Sequence, residues 1–289
     1  VRNMNYIKEQ LSNTLESFEV ENLGDRYKGK VRENYHAGNE IIMVTTDRVS
    51  AFDHVLGSIP FKGQILTEIA NFWFEKTKNI VPNHIISCPD PQVLIAKKAE
   101  TLPVEVIVRG YITGSLWREY QQGINGQYGF MLPEGLKKNQ KFSEPILTPS
   151  TKAEYGKHDE PISRDEIVNG LVEESVYAKA ERYALDLFAA GQEWAAKQGL
   201  ILVDTKYEFG LVDGELIVID EIHTPDSSRY WVSSEYEKRY LDGADQKMLD
   251  KENIRQWLIK KGFSGEGTPP ALTDEIRISL AERYIELYS

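Results

Sequence analysis

The amino-acid sequence predicts an α+β fold, with antiparallel sheets and helices arranged in two lobes and a helical tail. Three observations carry this. Short strand-like runs separated by turn residues make the first hundred or so positions strand-rich. Asp213-Gly214 sits between two apolar runs, and Asp-Gly in that setting is a strong hairpin signal. Helical periodicity dominates after residue 245. Hairpins argue against a doubly wound parallel sheet, whose strands alternate with helices. The expected division is 1–105 for a β-rich lobe and 106–289 for a mixed lobe with the tail, the two forming one integrated unit.

Taken in order, residues 4–17 read as a short amphipathic helix, with Ile7, Leu11 and Leu15 at four-residue spacing. Glu21 to Thr46 reads as strands and a hairpin, turning at Ala37-Gly38-Asn39 and ending in the buried strand Ile41–Val44. Residues 63–78 predict a helix with Ile65, Ile69, Phe72 and Trp73 on its apolar face. His84–Ser87 and Val104–Val108 read as strands. Residues 122–163, rich in Gly, Pro, Ser and Thr, predict one long loop. A helix over 165–198 stops at Gly199, and Leu200–Asp204 and Leu216–Ile219 follow as strands. Helices over 250–261 and 273–288 flank a Gly/Pro loop at 262–270.

The 289 residues carry a net charge of −11, with 41% hydrophobic and 27% charged side chains, close to the average of globular proteins. The acidic balance excludes bulk nucleic-acid binding and adhesion to anionic membranes, both of which need clustered Lys and Arg. No apolar run approaches the roughly 20 residues that span a bilayer, and Val1–Asn5 opens no apolar signal segment. Cys88 is the only cysteine, so an intrachain disulfide and a thiolate metal cluster are excluded and a reducing, cytoplasmic setting is expected.

Several segments carry side chains suited to anion chemistry. Gly29-Lys30-Val31-Arg32 follows a strand-like run; a glycine admits close backbone approach to a phosphate, and Lys and Arg alternate onto one strand face. By itself it reads more readily as a solvated basic strand. Asp47–Asp53 follows a buried strand, a position that meets ligands or simply caps a turn. Leu102–Arg109 is an apolar strand with Glu105 inside it, followed by Thr113-Gly114-Ser115 at the start of a helix. A helix N-terminus with an Arg nearby suits a phosphate or carboxylate, and a buried unpaired Glu105 would be costly. Thr148-Pro149-Ser150-Thr151-Lys152 and His158-Asp159 place hydroxyls, a Lys and a His in the loop region. In Val203–Gly210, alternation puts Asp204, Lys206 and Glu208 on one face. Acid–base–acid on a strand suits a cation and a phosphate, or else a cross-strand charge ladder. Asp220-Glu221 ends the next strand, facing that row, and leads to Ser228-Arg229-Tyr230-Trp231. Histidine and cysteine are too sparse for zinc, and no Gly-x-Ser-x-Gly elbow occurs.

Together, in this order and over roughly residues 20–235, these six segments resemble the SAICAR synthetase (phosphoribosylaminoimidazole-succinocarboxamide synthase) family. The longer tail is similar to the family's longer form. The resemblance implies a two-lobed fold with an ATP-grasp-like nucleotide cleft. It implies ATP-dependent ligation of L-aspartate to the carboxylate of carboxyaminoimidazole ribonucleotide, giving SAICAR, ADP and phosphate through an acyl phosphate in purine biosynthesis. ATP and Mg²⁺ are the implied cofactors; small molecules are the implied partners, with no nucleic acid or membrane, and the chain is expected as a monomer or dimer. By the resemblance, Gly29, Lys30 and Arg32 contact the ATP phosphates, and Lys206 stands beside the transferring group. Glu208 and Asp220, with Asp204, hold the metal. Arg109, Ser115 and Arg229 clamp the ribonucleotide phosphate; Ser50, Asp53 and Glu105 line its site; Thr148, Ser150, Thr151 and Lys152 lie near the aspartate. A small-molecule kinase and a non-catalytic nucleotide-binding protein remain as alternatives.

Overall fold

A computed structural model describes residues 4–152 and 159–289 of the chain. Helix α1 (Met4–Glu9) is shorter than its periodicity predicts. The backbone N–H of Leu15 donates to Asp47 Oδ2 at 2.7 Å, and its carbonyl accepts from the Asp47 N–H at 2.8 Å. That two-way bond holds the segment extended against Asp47, and tertiary contact overrides a short helix of marginal intrinsic stability.

The first sheet is antiparallel, in the order β1 (Asp25–Lys28), β2 (Arg32–Ala37), β3 (Glu40–Thr45), β7 (Val93–Lys97), β6 (Ile85–Asp90). Gly38, with φ 62°, supplies the left-handed residue its first tight turn requires. A separate hairpin, β4 (Arg48–Ala51) and β5 (His54–Ser58), and helix α2 (Lys62–Thr77) lie between β3 and β6. Ile65, Ile69 and Trp73 are buried as the helical spacing requires. Phe72 is exposed instead, its ring 5.8 Å from that of Trp194.

The second sheet runs β10 (Ser150–Thr151), β8 (Glu100–Tyr111), β11 (Leu200–Val212), β12 (Glu215–Ile219), with β9 (Lys141–Leu147) on β8 and β13 (Ser228–Val232) on β11. Residue 105 lies within β8, so the expected lobe division crosses the middle of a strand. The stretch read as one loop at 122–163 contains β9 and β10, which are strands because β8 offers them an edge; such short elements have little signal of their own. Helix α3 (Gly114–Gln121) follows β8. The single helix expected over 165–198 is two, α4 (Arg164–Gly170) and α5 (Glu174–Lys197). Ser163 and Glu166 form a capping box at the start of α4. In α5, Tyr177, Ala180, Ala184, Leu187, Phe188, Gly191 and Ala195 form the buried stripe against the sheet. The tail comprises α6 (Ser233–Leu241), unforeseen in the sequence, then α7 (Glu252–Lys260) and α8 (Asp274–Tyr288). No helix among the described residues is long and apolar enough to cross a membrane.

Two histidines are locked neutral in this framework. His223, fully buried, shares a 2.6 Å hydrogen bond with Tyr207 Oη, and burial pushes its pKa down to about 3. Burial likewise lowers His84 to about 4. Below pH 6.5 the unfolded chain binds protons that the native state refuses, so this stability is present above pH 6.5 and lost as pH falls through 4 and then 3. Unfolding free energies from denaturant titrations between pH 7 and 4 should decline at up to about 1.4 kcal/mol per pH unit for each histidine. The double variant His84→Phe/His223→Phe should show a shallower decline than the wild type; an identical slope refutes the assignment.

Candidate active site

The register of β8 against β11 builds the site. Asp204 lies opposite Arg109, Lys206 opposite Ile107 and Glu208 opposite Glu105. Alternation therefore puts Glu105, Arg109, Asp204, Lys206 and Glu208 on one face of two adjacent strands.

At one end of this row, Lys206 Nζ donates to Glu105 Oε1 at 2.7 Å and Glu208 Oε1 at 2.6 Å. Lys152 Nζ pairs with the other Glu208 oxygen. Burial alone would raise the Glu208 pKa, but Lys206 and Lys152 hold it far below the carboxylate range. Burial, opposed by Lys206 and reinforced by the charge of Glu208, raises Glu105 to about 7. Burial disfavours the Lys206 ammonium, yet Glu208 and Glu105 outweigh it and keep the charge on.

At the other end, Asp204 Oδ2 accepts from Arg109 Nη1 at 3.4 Å and also pairs with Arg229. Arg109 Nε donates to Thr148 Oγ1 at 2.7 Å, and its Nη2 lies 3.5 Å from Ser115 Oγ at the start of α3. Gly114 has φ 58°, and a Cβ there would fall 2.6 Å from Arg229 Cζ. Its missing side chain is what lets that guanidinium lie over the helix N-terminus. Two guanidiniums, a hydroxyl and a helix N-terminus thus converge, an arrangement suited to a dianion.

The first sheet reaches this face through Arg32, whose Nη2 donates to Glu221 Oε1 at 2.7 Å while Nη1 pairs with Asp220. Burial opposes the Arg32 charge, and Asp220 and Glu221 reverse that effect. Asp220 has φ 66° just after β12, a left-handed conformation that aspartate tolerates. Buried Arg48 donates to the carbonyls of Lys30 at 3.0 Å and Gly29 at 2.9 Å. It shapes the Gly29–Arg32 turn from behind. Lys30, at the tip of that turn, pairs with Asp53.

A cavity of about 540 Å³ joins the two ends of the row and the tip of the Gly29–Arg32 turn, whereas Arg32, Asp220 and Glu221 line a separate small pocket and Glu208 lines neither. Of the expected residues, Lys30, Ser50, Asp53, Glu105, Arg109, Ser115, Asp204, Lys206 and Arg229 line it. Arg118, Asp226, Lys251 and Arg255 line it too, and the sequence reading did not single these out. Lys251 and Arg255 belong to the tail, where charge density on a helical pattern looks like an ordinary solvated face. Thr148 is buried beneath Arg109. Ser150 and Thr151 pair with Glu105 and Val104 on the edge of the sheet. Asp204 serves two arginines and stands apart from the Arg32–Asp220 pairing. His158 lies outside the described residues. No group of three or more His, Cys, Asp or Glu side chains among the described residues forms a metal cage. A second cavity of about 1030 Å³, lined in part by Trp73 and Trp194, contains none of this charged row.

Residues 25–270 match the SAICAR synthetase family. The chain is 52% identical over 267 residues to a phosphoribosylaminoimidazole-succinocarboxamide synthase of Bacteroides fragilis, covering 91% of this chain and 85% of that one. It superposes on SAICAR synthase from Saccharomyces cerevisiae complexed with SAICAR at a TM-score of 0.82 and 34% identity, over 95% and 96% of the two chains. A type-2 SAICAR synthetase in complex with ADP aligns at a TM-score of 0.68 and 26% identity, over 91% and 96%.

Proposed function

The chain belongs to the SAICAR synthetase family, and from that premise we propose how its side chains divide the work of the family reaction. The enzyme is an ATP-dependent carboxylate–amine ligase of purine biosynthesis: it joins L-aspartate to the carboxylate of carboxyaminoimidazole ribonucleotide, yielding SAICAR, ADP and phosphate. One observation carries the division of labour. The two-strand face has an arginine–hydroxyl end and a lysine–carboxylate end opening on the same cavity.

The ribonucleotide spans that face. Arg109, Arg229 and Ser115 take its 5′-phosphate, with Asp204 and Thr148 fixing the guanidiniums. Asp204 is thereby an arginine-positioning group, and we remove it from the metal set. Ser50, Asp53 and Glu105 line the ribonucleotide's path. Gly29, Lys30 and Arg32 cover the ATP phosphates from the first lobe. Lys206 stands at the transferring phosphoryl group. Ser150, Thr151 and Lys152 flank that end from the strand edge, since Lys152 pairs with Glu208.

Glu208 and Asp220 fit Mg²⁺. Both are oxygen donors, Glu208 is held ionised, and Arg32 and Lys206 bracket the pair with positive charge. Mg²⁺ is usually held by one or two carboxylates together with substrate phosphates, so a larger protein cage is not required. When bound, the ion neutralises charge on the phosphate oxygens.

The chemistry explains these residue types. A carboxylate resists amine attack because its leaving group would be oxide. Transfer of the γ-phosphoryl group to a carboxylate oxygen breaks the bond to ADP and gives an acyl phosphate. The free amine of aspartate then attacks the carbonyl carbon, phosphate departs with the C–O bonding pair, and the nitrogen loses a proton. Lys206 and Arg32 face charge that develops during the transfer, so positioning and electrostatics supply most of the rate. The lone Cys88 and these metabolite substrates support a cytoplasmic setting.

Sustained ADP release from ATP and ribonucleotide should require L-aspartate. Release at an equal rate without aspartate indicates a kinase and overturns the ligase reading. Arg109→Ala should raise the ribonucleotide KM by about tenfold or more, the scale of one charge-assisted contact. If only ATP binding weakens, the phosphate clamp is misassigned.

A further inference from the structure

Lys251 stands immediately before α7 and lines the active-site cavity. Its backbone N–H reaches the Pro225 carbonyl at 3.3 Å, seating it against the turn that precedes Arg229. Every carboxylate near it is already engaged. Asp226 accepts from Lys62 Nζ at 2.8 Å through one oxygen and from Tyr284 Oη at 2.9 Å through the other. Asp250 accepts the N–H groups of Glu252 at 2.7 Å and Tyr230 at 2.9 Å. Glu252 pairs with Arg255 at 3.2 Å and Arg229 at 3.4 Å. Glu221 pairs with Arg32 at 2.7 Å. The Lys251 ammonium has no ion pair or side-chain hydrogen bond among the described residues. Burial pulls its pKa below the usual lysine value, with Asp226 opposing.

All but one of the other cations of the cavity are paired, the exception being Arg118, which has no ion pair among the described residues. Lys206 is shared by Glu105 and Glu208, Arg109 and Arg229 by Asp204, and Lys30 is paired with Asp53. Arg118 lies one helical turn beyond Ser115, on the side of the phosphate clamp. A partly buried ammonium to which no carboxylate is hydrogen-bonded gains when an anion arrives. The two phosphate-bearing substrates have their own basic sets. The third substrate, L-aspartate, brings two carboxylates.

We infer that Lys251 binds a carboxylate of L-aspartate, so that the helical tail contributes directly to recognition of the amino acid. This rests on the ligase reading. In Lys251→Met, the KM for L-aspartate should rise at least about tenfold, while the KM values for ATP and ribonucleotide change less than about twofold. Succinate, a dicarboxylate with no amine to react, should compete with aspartate in the wild type and lose that potency in the variant. Lys251→Arg, which keeps the charge, should recover most of the aspartate affinity and serves as the folding control. An unchanged aspartate KM in Lys251→Met, or a rise confined to the ribonucleotide, overturns the assignment. If the wild-type enzyme itself makes no succinyl product from aspartate, the failure belongs to the ligase reading instead.

Discussion

Glu208→Gln and Asp220→Asn should each lower kcat by about 10²–10³-fold, the range seen when one preorganised electrostatic group is removed from a transition state. Glutamine and asparagine keep the size of each side chain and delete its charge. In Glu208→Gln, the Lys206 ammonium keeps Glu105 at 2.7 Å but loses its second carboxylate, and Lys152 loses its partner. In Asp220→Asn, Arg32 keeps only Glu221, at 2.7 Å. Positive charge then accumulates where the metal–nucleotide complex should sit. The half-saturating Mg²⁺ concentration should rise in both variants, and circular dichroism should be unchanged. Near-normal turnover in both would falsify the metal assignment.

Asp226→Asn should lower the free energy of unfolding by about 3–5 kcal/mol, because it strands a buried cation. Lys62 is fully buried and its ammonium lies 2.8 Å from Asp226 Oδ2. Asp47, a second carboxylate near it, already accepts the backbone N–H groups of Leu15 at 2.7 Å and Gly63 at 2.8 Å. The double variant Lys62→Met/Asp226→Leu removes both charges and should recover most of the loss. Urea unfolding of the three proteins decides: a cost below about 1 kcal/mol for the single variant would mean that the pair is effectively solvated. The pH dependence has a defined sign. Burial raises the Asp226 pKa, but Lys62 and Lys251 hold it well below the usual carboxylate range. Its contribution is present above roughly pH 4, where an unfolded aspartate ionises, and fades as the pH falls further.

How much of the site was legible varies by residue. The alternation of Asp204, Lys206 and Glu208 is readable because a strand repeats every two residues. Their partners are not readable, because a single-residue slip of β8 would turn Glu105 and Arg109 to the opposite face. Asp204 illustrates the consequence: one more acid in a metal-like row in sequence, it is the shared counter-ion of two arginines in space. Arg48, in a segment that reads as ligand-facing, instead binds carbonyls behind the phosphate-facing turn. The limits of helix α1 and strands β9 and β10 come from hydrogen bonds to distant chain, so local periodicity does not mark them.

Local pattern was enough to give the α+β class, the hairpins, the main helices and the residue types that put this chain in its family. All of these rest on local periodicity or on side chains close together along the chain. It took the folded chain to bring Arg109, Asp204 and Arg229 into one unit, to carry Arg32 across to Asp220, and to turn Lys251 to the cavity while Tyr284 braces Asp226. Those relations depend on register and on packing between segments far apart in the chain, and they set charge pairing, which falls steeply with distance and solvent exposure. The net charge of −11 therefore says little about a cleft for anions. Which cations are already neutralised there, and which await a ligand, is a property of the folded arrangement.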